Sequence, residues 1–196
     1  MTYTPIRYRS YQEYLDDDRL NPDGNYRLLS TGEVIEVASE DDDNQRIAME
    51  LALVLRQMSA ALKGLVRTGT KEMQVSPVGD KWVNRKPDVI VMQPEHLEMA
   101  RQAITFGMPA PQFVAEVVSP GAESSSNYQR DYVWKRSQYQ QWRIPEYWII
   151  DPHKQQVTVL VLEDNIYQET IYREEDLIVS RVFPDLLLTP NAVLAR

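Results

Sequence analysis

The chain has 196 residues, no cysteine, a hydrophobic fraction of 43%, a charged fraction of 26% and a formal net charge of -8. Without an internal repeat, this predicts one globular domain over residues 1–196, long enough to bury a substantial core. The composition excludes disulfides, thiolate metal sites and a cysteine nucleophile. It also excludes a protein that coats nucleic acid through overall charge, so any polyanion site must be local. No apolar run approaches the ~20 residues of a membrane helix. The start, Met1 to Arg7, carries no apolar signal core, so a cytoplasmic location is expected.

Tyr11, Tyr14 and Leu15 stand at helical spacing and predict an amphipathic helix over Tyr8 to Leu20, ended by the turn Asn21-Pro22-Asp23-Gly24. Tyr26 to Leu29 and Glu33 to Val37 flank Ser30-Thr31-Gly32 and predict a hairpin, with Glu33 and Glu36 as solvated acids. The acidic run Glu40 to Asp43 then precedes Ile47, Leu51, Val54, Leu55, Met58, Leu62 and Leu65. That stripe predicts one long helix with its acidic start on the positive end of the dipole and Gly64 closing it.

Leu65 to Thr68 and Met73 to Val75 read as short strands, and Pro87 allows the next strand to begin only near Asp88. Residues 93 to 111 hold three prolines and predict a connection with one turn of helix. Phe113 to Val118 is an apolar strand with Glu116 in its middle, stopped by Ser119-Pro120-Gly121. A helix from about Asn127 to Trp142 follows, ending before Pro145. Tyr147 to Ile150, Val157 to Leu162 and Asn165 to Ile171 are further strands, and Leu177 to Leu194 predicts a last strand and a short helix.

Glu116 is the anomaly in this pattern. An ionised carboxylate in an apolar strand costs several kcal/mol unless a cation, a metal or several donors meet it. Asp88, at the start of another apolar strand, and Lys135, in the aromatic helical stripe Tyr128, Tyr132, Tyr139 and Trp142, are the partners on offer. Taken singly, Glu116 could be an edge-strand acid, Asp88 a turn acid after proline, and Lys135 the ordinary helical partner of Asp131 one turn earlier. Taken together they form a hydrolytic set. Mg²⁺ prefers carboxylate and carbonyl oxygens, which Asp88, Glu116 and the carbonyl of Val117 offer. Lys135 is then placed to hold a water or a phosphate.

Lys86-Pro87-Asp88, Phe113 to Pro120, Lys135 with Tyr139, and Ile144-Pro145-Glu146-Tyr147-Trp148-Ile149-Ile150-Asp151-Pro152 together resemble the Uma-type restriction endonuclease family, within the PD-(D/E)XK nuclease superfamily. The resemblance runs from the Tyr26 hairpin to the Pro184 tail. It implies an α/β fold with a restriction-endonuclease-like core, a mixed β-sheet flanked by helices, here with an N-terminal helix and β-hairpin. It also implies a DNA endonuclease that depends on Mg²⁺, with Mn²⁺ able to substitute, often as a homodimer. By it, Asp88 and Glu116 match the metal acids and Lys135 a lysine moved to the helix. The chain departs from the pattern at Val118, where the superfamily places its lysine, at Arg27, where the family has Glu, and at Asp43-Asn44, where it often has His. These departures leave a second reading: a binding or assembly protein on the same fold with an inactive site.

Other chemistries find no support. His96 and His153 lack ligand spacing, and no glycine-rich phosphate loop or Gly-x-Ser-x-Gly elbow exists. Lys81, Arg85 and Lys86 beside Trp82 could touch a nucleic-acid backbone, although three charges in a hairpin are commonly a solvated face.

Overall fold

The computed structural model describes residues 7–21, 24–38 and 41–195. Residues 1–6, Pro22 and Asp23 of the expected turn, and Glu40 of the acidic run lie outside the described residues. The first helix, α1 (Tyr11–Leu15), is shorter than predicted. Its N-cap is Ser10, whose hydroxyl accepts from the Glu13 amide, so the chain before it is not helical. The hairpin forms as expected from β1 (Tyr26–Leu28) and β2 (Val34–Glu36). Gly32 turns it at φ 84°, where a Cβ would lie 2.2 Å from the Tyr8 carbonyl oxygen.

The long helical stripe is two helices rather than one. Asp41 caps α2 (Asp42–Met58) by accepting from the Asp43 amide, and Asp42 and Asp43 occupy the first turn. At Ser59 the backbone becomes extended, and the same serine caps α3 (Ala60–Leu65) through Leu62 N–H. The break is a capping signal inside a continuous apolar stripe, and Gly64 sits within α3 instead of closing it. Then come β3 (Val66–Arg67), β4 (Glu72–Gln74), β5 (Asn84–Arg85), β6 (Val89–Val91), the single turn α4 (His96–Met99) and β7 (Ala103–Ile104). The supposed connection therefore contributes a strand, and β5-β4-β7 make a small second sheet.

The main sheet joins β3 and β6 to β8 (Phe113–Val117), β9 (Glu146–Asp151), β10 (Gln156–Glu163) and β11 (Ile166–Arg173), in the order β11-β10-β9-β8-β6-β3. β8 and β9 are parallel and the other neighbours antiparallel, so the fold is a mixed sheet flanked by helices. Asp164 and Asn165, both at positive φ, make the tight two-residue turn between β10 and β11.

The parallel β8–β9 step needs a crossover, supplied by α5 (Ser126–Tyr128), a π-helical segment (Gln129–Trp134) and α6 (Lys135–Gln141). The sequence predicts one regular helix here; instead Lys135 N–H bonds to the Arg130 carbonyl, five residues back. No strand forms between Leu177 and the short α7 (Pro190–Leu194), because that stretch is tied down by side-chain contacts rather than by a ladder. On one sheet face, Val89, Val91, Phe113, Ala115 and Val117 pack on Ile47, Leu51 and Leu55 of α2. On the other, Ile90, Val114 and Ile149 pack on Tyr139 and Trp142 of the crossover. No helix among the described residues is long and apolar enough to cross a membrane.

Candidate active site

Alternation along β8 places Glu116 on the crossover face, two residues beyond Val114. Extending the β6–β8 register one step past Val89 and Ala115 sets Asp88 directly opposite Glu116. Cross-strand partners share a face, so the two acids are neighbours. Both are buried, Glu116 at 2% and Asp88 at 8% exposure. The Asp88 Oδ2 accepts the Val117 amide at 2.7 Å, which anchors its carboxylate one residue from Glu116.

The π-helical turn brings Lys135 over this pair. Its Nζ donates to Glu116 Oε2 at 2.9 Å and forms an ion pair with Asp131 Oδ1 at 2.8 Å. The helical partnership and the cross-element one therefore coexist. Tyr139 donates its hydroxyl to the other Glu116 oxygen, and its ring meets Tyr147 edge on. Burial alone would favour a neutral Lys135, but the carboxylates of Asp131, Glu116 and Asp88 outweigh it and raise its pKa above the ordinary value. Burial likewise opposes ionisation of Asp131, yet Lys135 and Arg130 hold its carboxyl below the usual range. Burial and the Glu116 charge push the Tyr139 hydroxyl well above its ordinary pKa, so it stays a proton donor.

Glu116 and Lys135 line a cleft of about 340 Å³ whose other charged walls are Arg27, Arg85, Lys86 and Arg130. On a chain of net charge -8 this is a local concentration of cations around one lining carboxylate. The Lys81, Arg85 and Lys86 group separates: Lys81 is exposed, whereas Arg85 is 2% exposed and Trp82 has both Arg27 and Arg85 over its ring. Arg130 and Ser119 were not foreseen as site residues. Ser119 does more than end a strand, because its hydroxyl accepts from Arg130 and its amide donates to Asp131. The acid-base pair Arg130-Asp131 before Lys135 was the sequence signal.

His96 is a satisfied core residue: Gln93 N–H donates to its Nδ1 and its Nε2 faces the Pro109 carbonyl at 2.9 Å. Among the described residues no group of three or more His, Cys, Asp or Glu converges as a ready metal centre. The donors that are present still fit a hard cation. Mg²⁺ commonly takes one or two carboxylates and fills its remaining positions with water and substrate phosphate.

A family described as "Putative restriction endonuclease" matches residues 10–191 of this chain. Among solved structures, a putative nuclease belonging to DUF820 from Anabaena variabilis ATCC 29413 superposes with a TM-score of 0.62. It is 18% identical, over 97% of this chain and 98% of that one. The fold is thus shared, and no match was found among curated proteins.

Proposed function

The chain belongs to the Uma2 family of nucleases, and on that premise we propose that it is a Mg²⁺-dependent endonuclease hydrolysing DNA phosphodiester bonds. The observation that carries the reading is the facing pair Asp88 and Glu116, with Lys135 on Glu116 and with Glu116 and Lys135 lining a cleft rimmed by cations. Asp88, Glu116 and the Val117 carbonyl would hold the metal. When bound, such an ion supplies a Lewis acid for the non-bridging phosphate oxygens and lowers the pKa of a water.

The chain's own residues do the rest. Lys135 keeps its proton at Nζ, since its pKa is raised, so its part is to stabilise negative charge on the phosphate rather than to remove a proton. Tyr139 and Lys135 each bind one Glu116 oxygen and fix the carboxylate's orientation toward the cleft. Arg27, Lys86 and Arg130 offset the charge of the DNA backbone as it enters. Cutting both strands needs two such sites, which a two-fold homodimer would supply.

The test is incubation of supercoiled plasmid with the protein and Mg²⁺ or Mn²⁺. Nicked and linear products are expected from the wild type and none from Glu116→Gln. No product with either metal, or equal product from the variant, rejects the reading. Arg27, a guanidinium at the cleft wall, favours the second reading of binding without cleavage, which predicts retained DNA affinity and no product.

A further inference from the structure

Arg85 is the least explained side chain of the cleft. Its Nε donates to Gln138 Oε1 at 2.8 Å and its Nη2 to Asp80 Oδ2 at 2.7 Å. Its guanidinium carbon lies 4.7 Å from the centroid of the Trp82 ring. Gln138 is itself held, its amide donating to the Ser76 carbonyl at 2.8 Å. Two hydrogen bonds and the Trp82 ring hold the guanidinium, yet Nη1, also buried, has no acceptor among the described residues. A buried donor left unmade costs about 1–3 kcal/mol and calls for a specific reason.

The cleft does not supply the missing acceptor from its own walls. Its charged neighbours Arg27, Lys86, Arg130 and Lys135 are donors only, and among the described residues neither Glu116 nor the polar walls Ser119 and Asn127 bring an oxygen to Nη1. A planar fork held at two points with its third nitrogen waiting is suited to an oxyanion, above all a phosphate.

We infer that Arg85, with Lys86 and Arg130 on the same cleft, forms a phosphate subsite that grips the nucleic-acid backbone independently of the metal acids. This deepens the proposed nuclease reading, on which it rests for the identity of the ligand, but it requires no cleavage. Asp80 and Gln138 act as positioning residues that hold the fork, and Arg85 makes the contact.

The experiment is fluorescence anisotropy with a labelled 20-base-pair DNA duplex in EDTA, titrated over a range of KCl concentrations. Arg85→Gln is expected to weaken binding about tenfold at low salt and to flatten the log Kd against log salt slope by about one. Binding and slope equal to wild type, in a variant with a wild-type melting profile, overturn the inference. Should Arg85→Gln not fold, because Asp80 is left unpaired, Arg85→Lys decides instead, since it keeps a cation for Asp80 and removes the planar fork. Binding weakened severalfold in that variant supports the subsite, and wild-type binding rejects it. Arg85-dependent binding without any cleavage in Mg²⁺ would leave the subsite standing while removing the nuclease reading, so the two fail separately.

Discussion

Two glutamates are buried in adjacent parallel strands, and they are buried in opposite ways. Glu146 opens β9 opposite Phe113, on the α2 face, and is fully buried. Its carboxylate accepts from Trp148 Nε1, the Ser180 hydroxyl, and the amides of Arg181 and Val182, at 2.7 to 3.0 Å. These four neutral donors stitch the chain after β11 to the sheet, and among the described residues no ion pair joins Glu146 to a cation. Glu116, on the other face, has one cation, one hydroxyl and an opening to the surface. A carboxylate saturated by neutral donors is a clamp. One met by a single ammonium and a single hydroxyl at a cleft wall keeps lone pairs for a ligand.

That contrast is broken most severely at Glu116. Glu116→Gln keeps the shape and is expected to bring DNA cleavage to background at a stability cost of about 2 kcal/mol, since Lys135 keeps the Asp131 carboxylate, read by urea unfolding. If it instead unfolds the protein while the remaining native fraction still cuts, Glu116 is a clamp like Glu146. Lys135→Met comes next, with a cleavage loss of roughly 100-fold or more, because a charge aimed at the phosphate disappears. It also leaves Glu116 and Asp131 short of a cation, at a stability cost of about 3 kcal/mol.

Glu146→Gln inverts the pattern. Its new amide hydrogens oppose two backbone N–H groups, so a stability loss of about 3 kcal/mol is expected, with normal cleavage per folded molecule at low temperature. Loss of cleavage in the folded variant would mean that the two glutamates are not functionally distinct.

Acid sharpens the comparison further. A lowered Asp131 pKa contributes stability that is present above the unfolded value of about 3.9 and is lost as pH falls through the folded one. A raised Lys135 pKa contributes below its unfolded value of about 10.4 and is lost as pH rises through the folded one. The stability gap between wild type and Lys135→Met should therefore be flat near neutrality and narrow below about pH 4. A gap that does not narrow in acid would show that the lysine stabilises by packing rather than charge.

The smallest effect is at His96, whose pKa burial lowers. Its Nδ1 must accept from Gln93, so protonation breaks that bond, and the unfolded chain binds more protons as pH falls through about 6.5. Wild type should lose a little stability there and His96→Gln should not.

How much of this was legible in the sequence depended on the range of the cause. The buried run around Glu116 and the acid after Pro87 could be read because strand periodicity is local, and their register then made them neighbours. Ser59 was hidden because its capping role needs a backbone change that an unbroken apolar stripe does not announce. The π-helical turn at Gln129–Trp134 was hidden for a related reason, since one extra residue per turn leaves the helical composition unchanged. Arg85 looked like surface charge because its partners Gln138 and Asp80 come from different elements. Glu146 sat within a recognisable motif, yet three of its four donors lie 34 to 36 residues later and only the fold brings them back.

The central claim is that Asp88 and Glu116 form a metal-binding pair with Lys135 as a neighbouring cation rather than a closed structural network. Thermal melts of wild type, Asp88→Asn and Lys135→Met with and without Mn²⁺ test it most directly. Metal should raise the wild-type melting temperature, fail to raise that of Asp88→Asn, and raise that of Lys135→Met at least as much, because a repelling charge has gone. An unchanged wild-type melting temperature at saturating Mn²⁺, together with large stability losses in both variants, would contradict it.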